Sequence, residues 1–392
     1  MRALWTVFLK ELIENARDRR TLLSALVIGP LGGPLLFGVM MNLTLERGRE
    51  RAEQALELPV AGRAAAPNLV AFLEREGVKV SDFAGDAAAA AVAVRHRSAR
   101  LVLVIPGGYG ERLRAGEPAG VKLYTDTSDT STSNDRQRAA ALLHAYGLQL
   151  AAWRLQARGL APELMQPLVV DEVDVSTPAA RALTLLGMLS YFIVFATLMG
   201  GLYVAIDTTA GERERGSLEP LLTLPVARAA LVYAKILAAG AYMALSLLLN
   251  LAAFTVCLRF VRFDTVGMAL NLDAGVALAI FLVMLPFVLV GSALMTIVAS
   301  FTRSYREAQS WLAAVVLVPT LPIIFASLYQ VPSRTALMWV PSLGQHLLIQ
   351  SLLRGEAPDA LHVLLSAGAT LAAGALLARV AARLYEREQI LG

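Results

Sequence analysis

The sequence predicts an α-helical membrane protein, with six transmembrane helices and an α/β extracytoplasmic domain inserted between the first and second. Three observations predict this. Apolar residues make up 56 % of the 392-residue chain and charged residues only 17 %, against about 45–50 % and about 25 % in a soluble domain. The mean hydropathy is +0.58. The apolar excess is also gathered into blocks. Six stretches, 21–45, 182–206, 236–258, 274–300, 311–329 and 361–378, contain no Asp, Glu, Lys or Arg, and each approaches the roughly 20 helical residues that a 30 Å hydrocarbon core requires. Between the first two lies a long polar interval, 46–181, in which short apolar runs alternate with helical patterns.

The same composition excludes a disordered chain, a disulfide scaffold and an ordinary cytosolic enzyme. A single cysteine, Cys257, permits no intrachain disulfide, and four scattered histidines leave little for a metal centre. Nothing points to nucleic acid.

Residues 1–20 read as a cytoplasmic amphipathic helix. Trp5, Phe8, Leu9, Leu12, Ile13 and Ala16 recur at the spacing of one helical face, while Lys10, Glu14 and Arg17 share another. Such a helix lies in the bilayer interface, aromatic side down. The first span, 21–45, contains Gly29, Pro30, Gly32, Gly33 and Pro34, which predicts a bend and close helix contacts. Its apolar run is too long for a signal peptide and lacks an A-x-A-like exit, so it reads as an uncleaved anchor.

In the interval 46–181, residues 58–61, 101–105, 121–124 and 168–175 are strand candidates, and 68–76, 87–97, 109–115 and 133–158 suit helices, the last capped by Ser133 or Asn134. Alternation of this kind indicates a compact α/β domain. The run Pro106-Gly107-Gly108-Tyr109-Gly110 follows the best strand, but it has neither G-x-G-x-x-G spacing nor a following Lys-Ser/Thr, and reads as a strand-to-helix turn. Asp126, Asp129 and Asp135 stand among hydroxyl residues where a hard cation could bind, but without EF-hand spacing a solvated loop is favoured.

Orientation follows from the short flanks. Arg2, Lys10, Arg17, Arg19, Arg20, Arg213, Arg215, Arg228, Lys235, Arg303, Arg306, Arg379, Arg383 and Arg387 collect on one side, and only Arg259, Arg262, Arg334 and Arg354 on the other. The positive-inside rule then places both termini in the cytoplasm of a cell whose inner (plasma) membrane the chain crosses, with 46–181 outside.

The segment 207–235, between the second and third spans, is the most pointed feature. Glu212, Arg213, Glu214 and Arg215 nearly cancel in charge, so it is no polybasic lipid patch. After Gly216, Ser217 can cap a short helix in which Leu218, Leu221 and Leu222 make an apolar knob beside Glu219, and Pro225 can close it. A leucine knob in a charged rim suits docking into a groove on another protein; a solvated loop is the plain alternative.

The phrase ERERGSLEPLLTLPVARAALVYAK, 212–235, resembles the stretch after the second span of ABC transporter type-2 permeases, in particular the sodium-efflux and drug-efflux permease subunits. The amphipathic N-terminus, the domain between spans one and two with its LVLVIPGGYGERLRAGEPAGVKLYTD, and SFTRSYREAQSW at 300–311 fit the same pattern. The resemblance implies a subunit working as a homodimer or as a heterodimer with a related permease, and driven by a separate ABC ATPase that carries the ATP and Mg. It implies that the stretch 212–224 docks on that ATPase, with the N-terminal helix as a second contact, and that 341–353 forms short re-entrant helices on the external side.

The residues themselves add one constraint. No G-x-x-x-x-G-K-[ST] occurs, so the chain holds no phosphate cradle and no cofactor of its own is expected; it reads as a non-enzyme that receives energy from a partner or an ion gradient. The spans so drawn have no internal carboxylate or base, which counts against an ion-gradient-driven secondary transporter. A membrane receptor or assembly protein remains as another reading. Asn250, Ser292 and Thr296 are the candidate path residues, and an interhelical hydrogen bond is the commoner role for the first. The cargo, sodium or a drug or lipid, is left open.

Overall fold

The computed structural model describes residues 2–53, 55–129, 132–161, 189–217, 220, 221, 223, 225–261, 272–329 and 331–386. They form two compact units: one joins Met1–Glu46 to Val175–Gly392, and the other is Arg47–Asp174.

The first unit carries six helices long and apolar enough to cross a membrane: Thr21–Arg47, Leu189–Glu214, Arg228–Phe260, Ala274–Phe301, Tyr305–Leu328 and Ala360–Glu386. All six expected spans therefore exist as helices. Residues 182–188 of the second expectation lie outside the described residues. The helices run past several expected ends because the charges there are capped or paired. Asp273 accepts from Val276 N at 2.7 Å to start the fourth span. Ser304 accepts from Glu307 N at 3.3 Å, and the Glu307 carboxylate accepts from Arg303 N at 2.8 Å, so the fifth span begins six residues before its apolar run.

The first span carries two irregularities in the region of the expected bend. A π turn occupies Ser24–Ile28 and Pro34 lies inside the helix that follows. Proline has no N–H, so Pro34 frees the carbonyl of Pro30. Asn250 of the third span donates its Nδ2 to that oxygen at 2.8 Å. Spans two and three cross at glycine: a Cβ on Gly200 would lie 2.3 Å from Ser246 Cβ, and one on Gly201 2.5 Å from Met243 Cγ. Small residues permit this approach, which in lipid replaces the missing hydrophobic drive. The core around them includes Ile193, Met243, Phe254, Met284 and Phe287.

Before the first span, helix α1 (Arg2–Arg17) packs on the third span. The helix is amphipathic as read, but its buried residues are polar. Glu11 and Asn15 are 2 % and 1 % exposed, while Trp5, Leu9 and Ile13 remain 58 %, 40 % and 52 % exposed. The side that carries Trp5, Leu9 and Ile13 is thus exposed, and the other side is a polar contact that the apolar periodicity does not reveal.

The second unit is a four-stranded sheet of order β2-β1-β3-β4. In chain order come β1 (Glu57–Ala61), α2 (Pro67–Arg75), β2 (Lys79–Asp82), α3 (Ala87–Arg95), β3 (Leu101–Val104), α4 (Tyr109–Arg114), β4 (Lys122–Thr125) and α5 (Ser133–Gln156). β1 is parallel to β2 and β3, and β4 is antiparallel to β3. The α/β reading of this stretch holds. Edge strand β2 escaped it because its residues are mostly exposed and carry no apolar run. The candidate strand 168–175 lies outside the described residues. Helix α5 starts at Ser133, so Thr132 takes the cap position expected for Ser133 or Asn134.

The glycine run after β3 is a turn into α4, closed by Tyr109 N on Pro106 O at 3.0 Å. In the acidic loop, Asp126 accepts from Ser128 N at 2.9 Å and from its Oγ at 2.6 Å, and Asp135 meets Arg100 at 3.4 Å. These carboxylates are satisfied within the chain, as a solvated loop requires. Past the fifth span, α6 (Leu343–Leu353) is a short non-spanning helix whose polar residues Gln345 and His346 are wholly buried. Gln345 Nε2 donates to Thr370 of span six at 2.8 Å, and His346 Nδ1 meets Ser190 of span two at 2.5 Å. These contacts pack α6 against the protein, the condition that a non-spanning helix would have to meet at membrane depth.

Candidate functional site

The second span does not end at Ile206, where its charge-free run stops. It continues through a π turn, Asp207–Gly211, into a last helical turn, Glu212–Glu214. Gly216, at φ 68°, then supplies the left-handed residue that closes a Schellman motif: Gly216 N bonds Arg213 O and Ser217 N bonds Glu212 O, both at 3.0 Å. Ser217 Oγ also donates to Glu212 O at 3.1 Å. Ser217 thus helps to end the second span, while most of the short helix expected to start at it lies outside the described residues.

Each residue of the Glu212–Arg215 tetrad reaches a different partner. Glu212 is 5 % exposed and forms an ion pair with Lys235 of the third span, which is 0 % exposed and also donates to Thr208 O. Arg213 donates to Thr302 O at 2.7 Å and Ser300 O at 2.8 Å, where the fourth span ends. Glu214 accepts from Tyr305 N at 2.7 Å, where the fifth begins. Arg215 turns back to Asp207 at 2.8 Å.

Helix α1 completes the junction. Lys10 Nζ lies 2.8 Å from Glu14, 3.1 Å from Glu11 and 3.5 Å from Glu212. Tyr242 of the third span donates to Leu12 O at 3.1 Å. Burial pushes the Glu11 carboxyl above its ordinary range, and Glu212 adds to the effect, against the pull of Lys235 and Lys10. Burial lowers the Lys10 value, but Glu14 and Glu11 outweigh it, so its ammonium is held charged. Glu14, bonded to Lys10, is held below the usual carboxylate range.

Two sequence expectations change here. Glu212 and Arg213 are not an outward rim, because their side chains are spent on the chain's own helices. Nor are the spans free of internal charge: Glu212 and Lys235 lie within the second and third helices as folded. A rule that stops at the first charged residue misses charges that neutralise one another. Leu218, Glu219 and Leu222 lie outside the described residues. Leu221 is half-buried, its N bonding Ser217 O at 3.3 Å, and Pro225 is exposed.

Two cavities lie between helices. One, of about 510 Å³, is walled by Ser24, Gly29 and Gly33 of the first span and Tyr191, Phe195 and Tyr203 of the second. The other, of about 270 Å³, lies among spans two, four and five and the approach to α6. Asn250, Ser292 and Thr296 line neither. Asn250 holds the Pro30 carbonyl, while Ser292 and Thr296 bond back to Leu289 O and Ser292 O of their own helix at 3.3 Å and 2.8 Å. In this structure all three side chains are hydrogen-bonded to backbone carbonyls of the helices.

With this geometry in view, the comparisons are specific. Residues 20–382 match the family model of the ABC-2 family transporter proteins. The chain belongs to the ABC-2 transporter family. It is 25 % identical over 380 residues to the ABC transporter permease protein NatB of Bacillus subtilis (strain 168), covering 93 % of each chain. No solved structure matches it. This ABC-2 chain is thus an integral membrane protein and a permease subunit of an ABC transporter, and its family implies an ABC ATPase partner.

Sequence reasoning passed over Glu11, Asn15, Lys235 and Tyr242 in the ABC-2 junction. Lys235 figured only as a basic flanking residue and as the last letter of a motif, not as a partner of Glu212. Glu11 and Asn15 stand i, i+4, a polar stripe that could have been sought opposite Trp5 and Leu9.

Proposed function

We propose that this chain is the transmembrane half of an ATP-driven exporter, moved by a separate ATPase that grips the loop between spans two and three. The observation that carries the proposal is the tetrad Glu212–Arg215, which lies immediately before the Ser217–Pro225 loop and is tied to α1 and to spans three, four and five. A push on that loop reaches four other elements through charge-assisted contacts, so the helix ends move as one body. The junction is the cytoplasmic face, both termini are cytoplasmic, and the α/β unit is extracytoplasmic, a reading that the arginine and lysine distribution supports.

Two copies, or one copy and a related permease, would flank the cargo path. The groove between spans one and two, with its glycines and the stacked pair Tyr191 and Phe195 at 5.9 Å, is its natural wall. Aromatic and aliphatic lining suits an amphiphilic drug or lipid better than a bare sodium ion, which needs a shell of oxygen ligands. A gradient-driven carrier needs a titrating group open to each side in turn, whereas Glu212 and Lys235 are buried against one another.

The test is transport in vesicles holding the chain with its copurified ATPase, screened over sodium and hydrophobic amphiphiles. ATP-dependent accumulation of an amphiphile supports the reading. Accumulation driven by a proton or sodium gradient without ATP overturns it.

A further inference from the structure

The smaller cavity has a wall that is chemically unlike ordinary helix packing. Val315, Val318, Pro319 and Pro322 all line it. Their spacing, i, i+3, i+4 and i+7, makes one face of the fifth span. Each proline lacks an N–H, so Pro319 frees the carbonyl of Val315 and Pro322 that of Val318. In a helix each freed oxygen points toward its proline, and both prolines line the cavity. Thr320 does not serve them: its Oγ1 donates to Val316 O at 3.0 Å and Leu317 O at 3.1 Å.

In hydrocarbon a freed backbone carbonyl is costly unless something donates to it. The Pro30 carbonyl, freed in the same way in the first span, receives Asn250. The rest of the cavity wall is nearly all apolar, and Ser342 at its edge is held at φ 72°, a conformation rare outside glycine. Across from the prolines, Gly291 leaves room that a Cβ would close, since it would meet Leu198 Cδ2 at 2.8 Å. At its rim Val318 is 64 % and Val340 41 % exposed.

We propose that this cavity is a binding site, entered sideways from the bilayer, for a small molecule with an apolar body and one hydrogen-bond donor, such as a medium-chain alcohol. The volume of about 270 Å³ exceeds the roughly 150 Å³ of an engineered apolar cavity that takes benzene. The apolar body fills the space and the donor reaches the Val315 or Val318 carbonyl. The site lies within one chain, distinct from the groove between spans one and two, and its occupancy needs neither ATP nor an ATPase.

The test uses the full chain in lipid nanodiscs with 3-azioctanol, a photoactivatable alcohol, and the diazirine of octane as its donor-free counterpart. Adducts mapped by mass spectrometry are expected on 315–322 and 340–342, saturable and displaced by plain octanol. The donor-free probe should label these peptides about tenfold less, the equivalent of one hydrogen bond. Val318→Trp, at the exposed mouth, should abolish these adducts while sparing labelling elsewhere; Val315→Phe serves as a second, interior block. Even labelling around the lipid-facing helices, labelling unchanged by both substitutions, or equal labelling by the two probes would overturn the proposal.

Discussion

Lys235, without any solvent exposure, forms an ion pair with Glu212 across 23 residues of sequence, and so joins the start of the third span to the end of the second. Removing one partner of such a pair leaves a buried charge uncompensated, at a cost of about 3–5 kcal/mol, whereas removing both is often close to neutral. Lys235→Met should therefore lower the thermal unfolding temperature of the purified chain markedly, and adding Glu212→Gln should restore most of it. A double variant as unstable as the single one would show that the pair is not the relevant contact.

The junction also predicts a pH effect. The Glu11 carboxyl is raised by burial and by Glu212, so the folded state holds that proton more tightly than the unfolded chain. Its contribution to stability is fully present below the ordinary glutamate value and is lost as pH rises through the raised one. Glu14, which is lowered, acts in the opposite sense at lower pH. Unfolding followed from the ordinary glutamate value upward should show stability falling with pH in the native chain and a flatter profile in Glu11→Gln. Identical profiles would refute the assignment.

Docking and transmission should separate by mutation. Leu221→Asp places a charge on the loop and should prevent capture of the ATPase by the permease. Arg213→Ala should leave capture intact but break the tie to Thr302 and Ser300, so that ATP hydrolysis continues while transport falls. Pull-down, hydrolysis and flux measured together decide it; normal coupled transport by both variants would remove the loop from the mechanism.

Asn250→Ala should destabilise the chain by about 1–3 kcal/mol, the cost of leaving a buried acceptor unpaired, without changing the range of molecules transported. Altered selectivity at unchanged stability would return Asn250 to the path.

These cases show what could be read in the sequence. Long apolar runs announced six spans because length and hydropathy are local properties. The helix ends were hidden, since the charge before Ile236, Lys235, pairs across helices with Glu212, and the one after Ile206, Asp207, pairs with Arg215 at the end of its own helix. The apolar face of α1 was legible, yet its packing face carries Glu11 and Asn15, and the charge that favours Glu11 there, Lys235, lies on the third span, far away in sequence. Strand β2 lacked an apolar signal because it lies at the sheet edge. The partner of Asn250 was recoverable in principle: Pro34 implies an orphaned carbonyl at Pro30, and a buried amide nearby is the expected remedy.

Topology is open to a direct check. Gly120 is exposed in the α/β unit, and a Cβ there would have nothing within 4 Å of it. Gly120→Cys, with Cys257 replaced by Ala, should react with an impermeant thiol reagent added outside intact spheroplasts. Reaction only after lysis would invert the orientation.

The central claim is that this permease is a gate without an engine of its own. Flux in sealed vesicles, with and without the purified ATPase and ATP, measures it most directly. Uphill movement of cargo should require both additions and should vanish in Leu221→Asp. Uphill movement by the permease alone would contradict the account.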